Sequence, residues 1–485
     1  LRIICEREIE RDKHIKEEYW PISSKFEYDD FIFDAELIKC NEEDLKKNPI
    51  SSEKDVLEIE TELKSSEFFI KSIETKPQSS SPNPPFRTST LQMTASSFLG
   101  FTADRTMRAA QNLYEAGLIT YLRTDGINIS TSPNTGEPFS EENPGPPPLQ
   151  EIRNVIVEKF GDKFLSDQVR VYKSKVKNSQ EAHEAIRPTN IKTYPENINL
   201  GQDEQKLYTL IWNRTVSSQM SNSQHERKKI LVSSKDQKYV FNASSRKTLF
   251  EGFETISKND SSEIIEFPEN LKENENVSLA EFNSEQKFTS PPNRYSEASL
   301  IKKMEELGIG RPSTYASTVK GLRDKKYAYG AKSIAPSDLG RVLNSYLCGV
   351  YKEFFIETKF TAELETELDK IAEGSISWTD VLDKFWEELQ NYLSKKIDGI
   401  PLNDSENFKT RQVLDLLNEE LEEVIFPRDE AGEIIRDCPK CDSQTSLKKG
   451  KFGYFVGCSE CKWTKKPFDF STTWETYKEL PKELG

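Results

Sequence analysis

The sequence predicts a multidomain α+β protein in which mostly helical domains are joined by β-rich segments and followed by a zinc ribbon. Apolar residues recur at helical spacing in two long stretches, 86–215 and 291–400. Aromatic and β-branched residues alternate with polar ones in parts of 13–85 and 216–290, as in strands with one buried face. Four cysteines cluster near the C-terminus. At 485 residues the chain can form about three or more domains.

The composition is that of a polar protein. Hydrophobic residues make up 35% of the chain and charged residues 31%, and the formal net charge is −15. No apolar run reaches the ~18 residues that a membrane span needs, and no signal peptide is recognisable. We therefore expect a cytoplasmic protein without a membrane partner.

Shifts in pattern divide the chain into seven segments. Within them, 41–66 is interpreted as a polar connection, 77–85 as a Ser/Pro-rich linker, and 131–149 as a Pro/Gly/Asn-rich loop. The segments are a helical piece (1–12), a β-rich part (13–85), a helical domain (86–215), a second β-rich part (216–290), a second helical domain (291–400), an acidic connector that is helical around 410–430 (401–435), and the zinc ribbon (436–485).

The cysteine spacing is the strongest local signal. Cys438-x2-Cys441 and Cys458-x2-Cys461 form two pairs separated by 16 residues, and two such thiolate pairs can close a tetrahedral Zn²⁺ site. Four protein ligands leave no free coordination position, so the predicted zinc is structural. The other three cysteines are scattered along the chain.

Cations and aromatic residues alternate between the two cysteine pairs, at Lys448, Lys449, Lys451, Phe452 and Tyr454. Such a mixture is typical of surfaces on which single-stranded nucleic acid stacks. The alternative is that the aromatic rings pack around the metal, because so small a domain has no other core.

A possible catalytic group lies in the octapeptide 118–125, which is interpreted as a short strand. In an extended segment Tyr121 and Arg123 project from one face, while Leu118, Thr120 and Leu122 face the other. A phenol beside a guanidinium is suited to attack on a phosphate. The alternative is that Tyr121 is one of 17 tyrosines and simply packs half-buried in a strand.

The preceding residues predict a helix that stops just before this octapeptide. Thr102 is a suitable N-cap, residues 103–116 carry apolar residues at helical spacing, and Gly117 stands where a helix C-terminus favours a left-handed residue.

Two further segments carry candidate binding residues. His183 lies beside a carboxylate in the segment 182–189, which also contains Arg187; a hydrogen-bonded surface pair is the plain alternative. In 308–314, flexible glycines lead to Pro312 at an expected first helical turn, which is a possible anion site, or simply a cap. No phosphate-binding Gly-x4-Gly-Lys-Ser/Thr loop occurs, so ATP-driven chemistry is not predicted.

Taken together, these segments resemble the signature sequences of type IA DNA topoisomerases, in particular the bacterial topoisomerase I branch. The resemblance covers residues 1 to about 395 and is followed by the zinc-ribbon tail that these enzymes often carry. It implies that the β-rich parts form one arch and that the body is toroidal when complete. The topoisomerase III and reverse gyrase branch is the alternative. The segments are LYEAGLITYLRTD (113–125), AHEAIRPT (182–189), LYTLIWNRTV (207–216), RYSEASL (294–300) and GIGRPSTYAS (308–317).

The resemblance also implies roles for these residues. Tyr121 would attack a phosphodiester of single-stranded or negatively supercoiled DNA, with Arg123 and His183 as catalytic partners. Reversal of the 5′-phosphotyrosine link after strand passage would relax the DNA without ATP. Contacts with the DNA are implied for Arg187, Arg311, Ser313 and Thr314.

In this family a Toprim domain, which holds the catalytic Mg²⁺, precedes the segment that Leu1–Glu8 resembles. We therefore expect an N-terminally truncated fragment that is inactive until it is joined to that domain, and that is a monomeric, nucleoid-associated bacterial protein when whole. In isolation it would be a catalytically silent single-stranded-DNA-binding fragment. Contact of the tail with RNA polymerase is left open.

The negative net charge does not exclude a DNA partner, since basic residues are concentrated locally. Lys and Arg outnumber acids in three windows, 170–187, 294–326 and 438–466. A polyanion would find these windows, although any charged protein has some of them.

Overall fold

The computed structural model describes residues 1–130, 147–173, 183–257, 266–351, 356–397, 422–426, 433–450 and 453–465. The α-helices in these ranges are α1 (Arg2–Asp12), α2 (Glu53–Ser65), α3 (Thr88–Leu99), α4 (Ala103–Glu115), α5 (Pro148–Phe160), α6 (Gln202–Ser217), α7 (Glu297–Glu306), α8 (Tyr315–Asp324), α9 (Asp338–Tyr351), α10 (Thr358–Ala372), α11 (Trp378–Ile397) and α12 (Glu422–Ile425). The strands are β1 (Glu18–Tyr19), β2 (Ile22–Tyr28), β3 (Phe31–Cys40), β4 (Glu43–Asp44), β5 (Phe68–Ser80), β6 (Ser223–Ser234), β7 (Tyr239–Phe250), β8 (Asn276–Ser284), β9 (Lys287–Phe288), β10 (Ala328–Tyr329), β11 (Ala335–Pro336), β12 (Thr445–Gly450), β13 (Gly453–Cys458) and β14 (Thr464–Lys465).

Strands from both β-rich parts of the sequence form one antiparallel sheet. Its order is β2-β8-β5-β6-β7-β3-β4, and a further pairing between β2 and β3 closes the sheet on itself. Five buried phenylalanines contribute to its core, and the ring of Phe26 packs edge-on against Phe68 and Phe241 at centroid distances of 5.1 and 5.0 Å. Helix α2 adds Val56, Ile59 and Leu63 to this core. The polar connection predicted at 41–66 therefore contains a helix with one buried face.

The linker prediction for 77–85 is wrong at its start, because β5 continues through Pro77 to Ser80. Pro77 lies opposite Glu226 of β6, while the other edge of β5 pairs with β8 only at Phe68 and Phe69. Beyond Phe69 the other edge of β5 has no strand partner among the described residues, and a proline is tolerated in such an edge segment.

The first helical part packs α3, α4, α5 and α6 around one core. Its fully buried side chains include Leu113, Ile119, Leu122 and Tyr208. The loop predicted at 131–149 overlaps the start of α5, which begins at Pro148, and its residues 131–146 lie outside the described part of the chain. Tyr121 follows α4 directly, so this core fixes the position of the candidate nucleophile.

The second helical part combines α1 with α7 to α11. The Glu8 carboxylate of α1 is 4% exposed and accepts hydrogen bonds from Arg294 Nε and Nη2 at 2.9 and 2.6 Å. Burial alone would raise the pKa of Glu8, but Arg294, Arg341 and Arg11 outweigh burial and lower it. The periodic stretch that begins at Phe360 forms two helices, α10 and α11, separated by Gly374 with φ +73°.

The C-terminal part is a small three-stranded antiparallel sheet in the order β12-β13-β14. Of the predicted acidic connector, only 422–426 and 433–435 are described, and α12 is a single short helix there. Within the described ranges, no helix is long and apolar enough to cross a membrane.

The aromatic core of the closed sheet should dominate its stability. We expect Phe26→Ala to lower the free energy of unfolding by about 3–5 kcal/mol, because it leaves a cavity among three other phenylalanines. The matched control is Phe98→Ala, since Phe98 is 71% exposed on α3. Denaturant unfolding followed by circular dichroism measures both, and equal unfolding midpoints for the two variants would contradict this account of the core.

Candidate active site and metal centre

The helix before Tyr121 is formed as predicted. Thr102 caps α4, with its hydroxyl oxygen accepting a hydrogen bond from Arg105 N at 3.2 Å. The helix ends at Glu115, one residue earlier than expected, and Gly117 has φ +69°. The left-handed residue turns the chain sharply, so the segment that carries Tyr121 starts directly at the end of the helix.

The segment 118–125 is extended but is not a strand, so that prediction is wrong. Within the described residues it forms one isolated bridge, between Ile119 and Pro188. From Tyr121 to Thr124 the side chains alternate as expected: Tyr121 is 52% exposed and Arg123 is exposed, while Leu122 is 1% exposed. The alternation fails at Ile119, which is buried. The ring of Tyr114 on α4 packs edge-on against Tyr121 at 5.5 Å.

Hydrogen bonds from both sides hold the backbone of this segment. On one side, the buried Thr88 hydroxyl at the start of α3 donates to Leu122 O at 2.7 Å and accepts from Thr124 N at 2.9 Å. On the other side, Thr120 N donates to Arg187 O at 2.9 Å, and the Thr120 hydroxyl donates to Ala185 O at 2.9 Å. The backbone is therefore fixed while the phenol of Tyr121 remains accessible.

His183 is oriented by Asp125. Its Nδ1 lies 2.7 Å from Asp125 Oδ1, and because an ionised carboxylate can only accept, Nδ1 carries a proton and Nε2 is left for a ligand. Gly126 makes this pairing possible: a Cβ there would lie 2.1 Å from His183 O. His183 is half exposed. The alternative of a surface pair with the neighbouring Glu184 is not what the structure shows, because the carboxylate that holds His183 is that of Asp125.

The structure does not support Arg187 as a DNA contact. Its side chain is 3% exposed, and its guanidinium donates to Glu184 Oε1 at 2.6 Å, to Glu184 Oε2 at 3.2 Å and to Pro188 O at 2.9 Å. Most of its hydrogen-bonding capacity is used inside the protein, so Arg187 stabilises the loop that carries His183.

The helix expected at Pro312 begins later, at Tyr315. Residues 312–314 form a turn in which the Thr314 hydroxyl accepts from Arg311 N at 2.9 Å. Arg311 donates through Nη2 to Asp369 of α10 at 2.6 Å. The backbone of this turn is therefore partly satisfied from within, and Ser313 presents the exposed hydroxyl that faces the cleft.

Several of the candidates line one cleft of about 990 Å³, although they come from distant parts of the sequence. Tyr121, Arg123 and His183 belong to the first helical part, and Arg311 and Ser313 to the second. Thr314 is exposed nearby but is not among the lining residues, so its predicted role has less support.

The basic side chains of the cleft are of two kinds, those with an acidic partner and those without one among the described residues. Among the described residues, the side chains of Arg123 and Lys302 form no hydrogen bond or ion pair, whereas Arg311 is paired with Asp369. Tyr315 also lines the cleft, but burial raises its pKa to about 12, so its phenol stays protonated. Tyr121 is half exposed, and the nearby Arg123 has no side-chain partner among the described residues, so Tyr121 is the more accessible of the two phenols.

Sequence reasoning did not identify Arg87, Asp125 and Glu305, which line the cleft, or Gly126, which lies against the backbone of His183. Asp125 ends the octapeptide and so could have been suspected. The other three gain their meaning only from contacts across long sequence separations, such as the 218 residues between Arg87 and Glu305.

The four cysteines of the C-terminal part converge as predicted. Their sulfur atoms all lie within 4.8 Å of one another, with Cys438 and Cys461 at 3.6 Å and Cys441 and Cys458 at 3.5 Å. Tetrahedral zinc with Zn–S bonds of ~2.3 Å requires S···S distances of ~3.8 Å, so the geometry fits zinc. The four sulfurs would complete the coordination shell.

Backbone N–H groups favour the thiolate form of one cysteine in this cluster, and a thiolate is the form that binds a metal cation. The N–H groups of Cys461 and Glu460 donate to Cys458 Sγ and lower the pKa of Cys458 to about 6. The pKa of Cys461 rises to about 12: Trp463 N donates to its sulfur, but desolvation and the three neighbouring sulfurs outweigh that bond. Without a metal the four thiols therefore do not all ionise, and Zn²⁺ would supply the missing positive charge.

The predicted DNA-contacting face of this ribbon is described only in part. Lys448 donates to Cys458 O at 2.6 Å, which ties β12 to a cysteine of the cluster. Lys451 and Phe452 lie outside the described residues, and so do the side chains of Lys449 and Tyr454.

Comparisons with known proteins agree with this architecture. A family model described as DNA topoisomerase matches residues 1–383. DNA topoisomerase 1 of Rickettsia bellii is 40% identical over 96% of this chain and 57% of its own length, and that of Campylobacter jejuni is 34% identical over 96% of this chain and 62% of its own length. The structure of full-length topoisomerase I from Thermotoga maritima superimposes with a TM-score of 0.72 at 31% identity, covering 96% of this chain and 69% of that chain.

A closed antiparallel sheet, two helical parts that meet at a tyrosine-containing cleft and a four-cysteine ribbon define a chain of the type IA DNA topoisomerase class. The chain belongs to the bacterial DNA topoisomerase I family. It spans a little under three fifths of the length of the Rickettsia relatives it matches.

The cysteine cluster should hold one zinc ion per chain. Elemental analysis of purified protein should find one equivalent of zinc, which Cys458→Ser should release by removing one of four ligands. Cys40→Ser is the matched control, because Cys40 lies in β3 outside the cluster. Protein without zinc, or equal zinc in both variants, would contradict the assignment.

Proposed function

We propose that this chain supplies the nucleophile and much of the DNA cleft of an ATP-independent type IA topoisomerase. The observation that carries the proposal is the exposed phenol of Tyr121 in one cleft with two other groups: the guanidinium of Arg123, which has no partner within the described ranges, and the oriented imidazole of His183. The substrate would be single-stranded or negatively supercoiled DNA.

The proposed reaction is a transesterification at phosphorus. The Tyr121 oxygen forms a bond to the phosphorus of a DNA phosphodiester as the bond from phosphorus to the 3′ oxygen breaks. The phenol gives up its proton and the leaving 3′ oxygen gains one. The energy of the broken bond is kept in the 5′-phosphotyrosine, so reversal after strand passage reseals the DNA without ATP.

Each neighbouring side chain has a defined task in this reaction. Arg123 has no competing partner among the described residues, so its guanidinium is available for the charge that develops on the phosphoryl oxygens. His183 is held by Asp125 through Nδ1 and can hydrogen-bond a phosphate oxygen through Nε2. Arg311 and Ser313 line the same cleft and can contact the DNA backbone.

Mg²⁺, which would neutralise phosphate charge, is assigned to a Toprim domain of the whole protein. Within the described ranges, the four cysteines are the one cluster of three or more His, Cys, Asp or Glu side chains close enough to hold a metal ion. That observation favours a second candidate for the isolated chain, namely a single-stranded-DNA-binding fragment that does not cleave DNA.

The nucleophile can be tested by a pair of tyrosine variants. The chain joined to a matching Toprim domain should relax negatively supercoiled plasmid with Mg²⁺ and without ATP, and denaturant quenching should trap DNA on protein. Tyr121→Phe removes only the attacking oxygen and should abolish both the adduct and relaxation. Gel electrophoresis of labelled DNA measures the adduct.

Tyr114→Phe is the matched control. Its ring lies 5.5 Å from that of Tyr121 and is 40% exposed, so it experiences nearly the same surroundings. This variant should still form the adduct. A covalent complex that persists in Tyr121→Phe and is lost in Tyr114→Phe would overturn the proposal.

A further inference from the structure

Arg87 and Glu305 form a two-pronged ion pair in the wall of the Tyr121 cleft. Arg87 Nε donates to Glu305 Oε1 at 2.9 Å and Nη2 donates to Oε2 at 2.6 Å, while the Ser89 hydroxyl donates to Oε1 at 2.6 Å. The two charged side chains are 16% and 13% exposed. Arg87 and Ser89 lie at the start of α3 in the first helical part, and Glu305 lies in α7 of the second.

Arg87 and Ser89 together form an anion-binding site, and the anion that occupies it is the carboxylate of Glu305. A guanidinium fork and a hydroxyl that converge on two carboxylate oxygens can also hold two oxygens of a phosphodiester. All three side chains line the cleft that contains Tyr121 and Arg123. A DNA strand in that cleft would therefore compete with Glu305 for Arg87.

The Arg87–Glu305 pair differs from the other ion pairs of the cleft. Arg311 is held by Asp369 and Lys359 by Glu363 within the second helical part alone. The Arg87–Glu305 pair instead connects the two helical parts, so breaking it also loosens the contact between α3 and α7. Losing Glu305 leaves a largely buried guanidinium without a counter-ion, which is costly unless another anion replaces it.

We propose that Arg87 and Ser89 form a phosphodiester subsite that Glu305 occupies while the cleft is free of DNA and vacates when a strand enters. The inference rests on the proposed function, because it requires DNA in the Tyr121 cleft. Glu305 thus keeps the two helical parts together in the closed state, and the phosphate that displaces it both takes its place on Arg87 and releases this contact.

The test uses two variants of the unmodified chain that break the same ion pair. Glu305→Gln frees Arg87, so a fluorescein-labelled oligothymidylate should bind about fivefold more tightly. The slope of log affinity against log salt should steepen by up to about 0.7, because no displaced carboxylate takes up a cation when the phosphate binds Arg87. Arg87→Gln removes the subsite, so binding should weaken about fivefold without a steeper slope. Fluorescence anisotropy over a range of NaCl concentrations measures both.

Glu306→Gln is the control for charge alone. Glu306 also lines the cleft and lies next to Glu305, and within the described residues its ion-pair partner is Lys303 at 4.0 Å, not an arginine. Its removal lowers the negative charge of the cleft equally but frees no guanidinium, so the salt slope should stay that of the unmodified chain.

The outcomes separate the inference from the function on which it rests. Opposite effects of Glu305→Gln and Arg87→Gln support the phosphate subsite. Effects of the same sign and size would show that the pair is only a structural clamp and would overturn the inference while leaving the proposed function intact. Failure of the unmodified chain to bind single strands would overturn both.

Discussion

The site depends on how the backbone around Tyr121 is held. The buried Thr88 hydroxyl bridges Leu122 O and Thr124 N, while the loop at 185–187 bonds Thr120 from the other side. Each such bond contributes about 1 kcal/mol, and several acting together fix a segment that belongs to no sheet. A rigid backbone can then present an exposed phenol at a defined position. The same rigid backbone exposes Arg123 two residues after Tyr121 and brings Asp125 into hydrogen-bonding distance of His183.

Local arrangement, and not net charge, decides how this acidic chain can receive a polyanion. The formal net charge is −15, yet the cleft contains Arg123 and Lys302, which have no ion-pair partner among the described residues. The remaining arginines of the cleft are neutralised by the protein's own carboxylates. In the proposed function, such pairing stabilises the cleft when DNA is missing, and an entering strand exchanges its phosphate for a carboxylate. The proposal thereby couples DNA binding to opening of the cleft.

The sequence predicted the features that are determined locally. Thr102 as a cap, Gly117 as a left-handed residue and the cysteine spacing each depend on a few neighbouring residues, and each is found in the structure. Predictions failed where distant residues decide. Residues 121–124 alternate between exposed and buried as expected, but Ile119 is buried and the segment forms no strand, because its partners are side chains and a loop. The role of Glu305 depends on an arginine 218 residues away. For Arg187 the ion-pair partner, Glu184, is only three residues away, and what the sequence did not reveal is the burial of the pair. Spacing along a chain does not reveal such contacts.

The most direct test of the account is to find the atom to which DNA becomes attached. In the protein completed with a Toprim domain, the quenched covalent complex can be digested with nuclease and trypsin, and the modified peptide fragmented in a mass spectrometer. The tryptic peptide from Ala109 to Arg123 contains both Tyr114 and Tyr121, so fragmentation must distinguish them. The account predicts a nucleotide on Tyr121. A nucleotide on Tyr114, or on a residue outside this peptide, would contradict it.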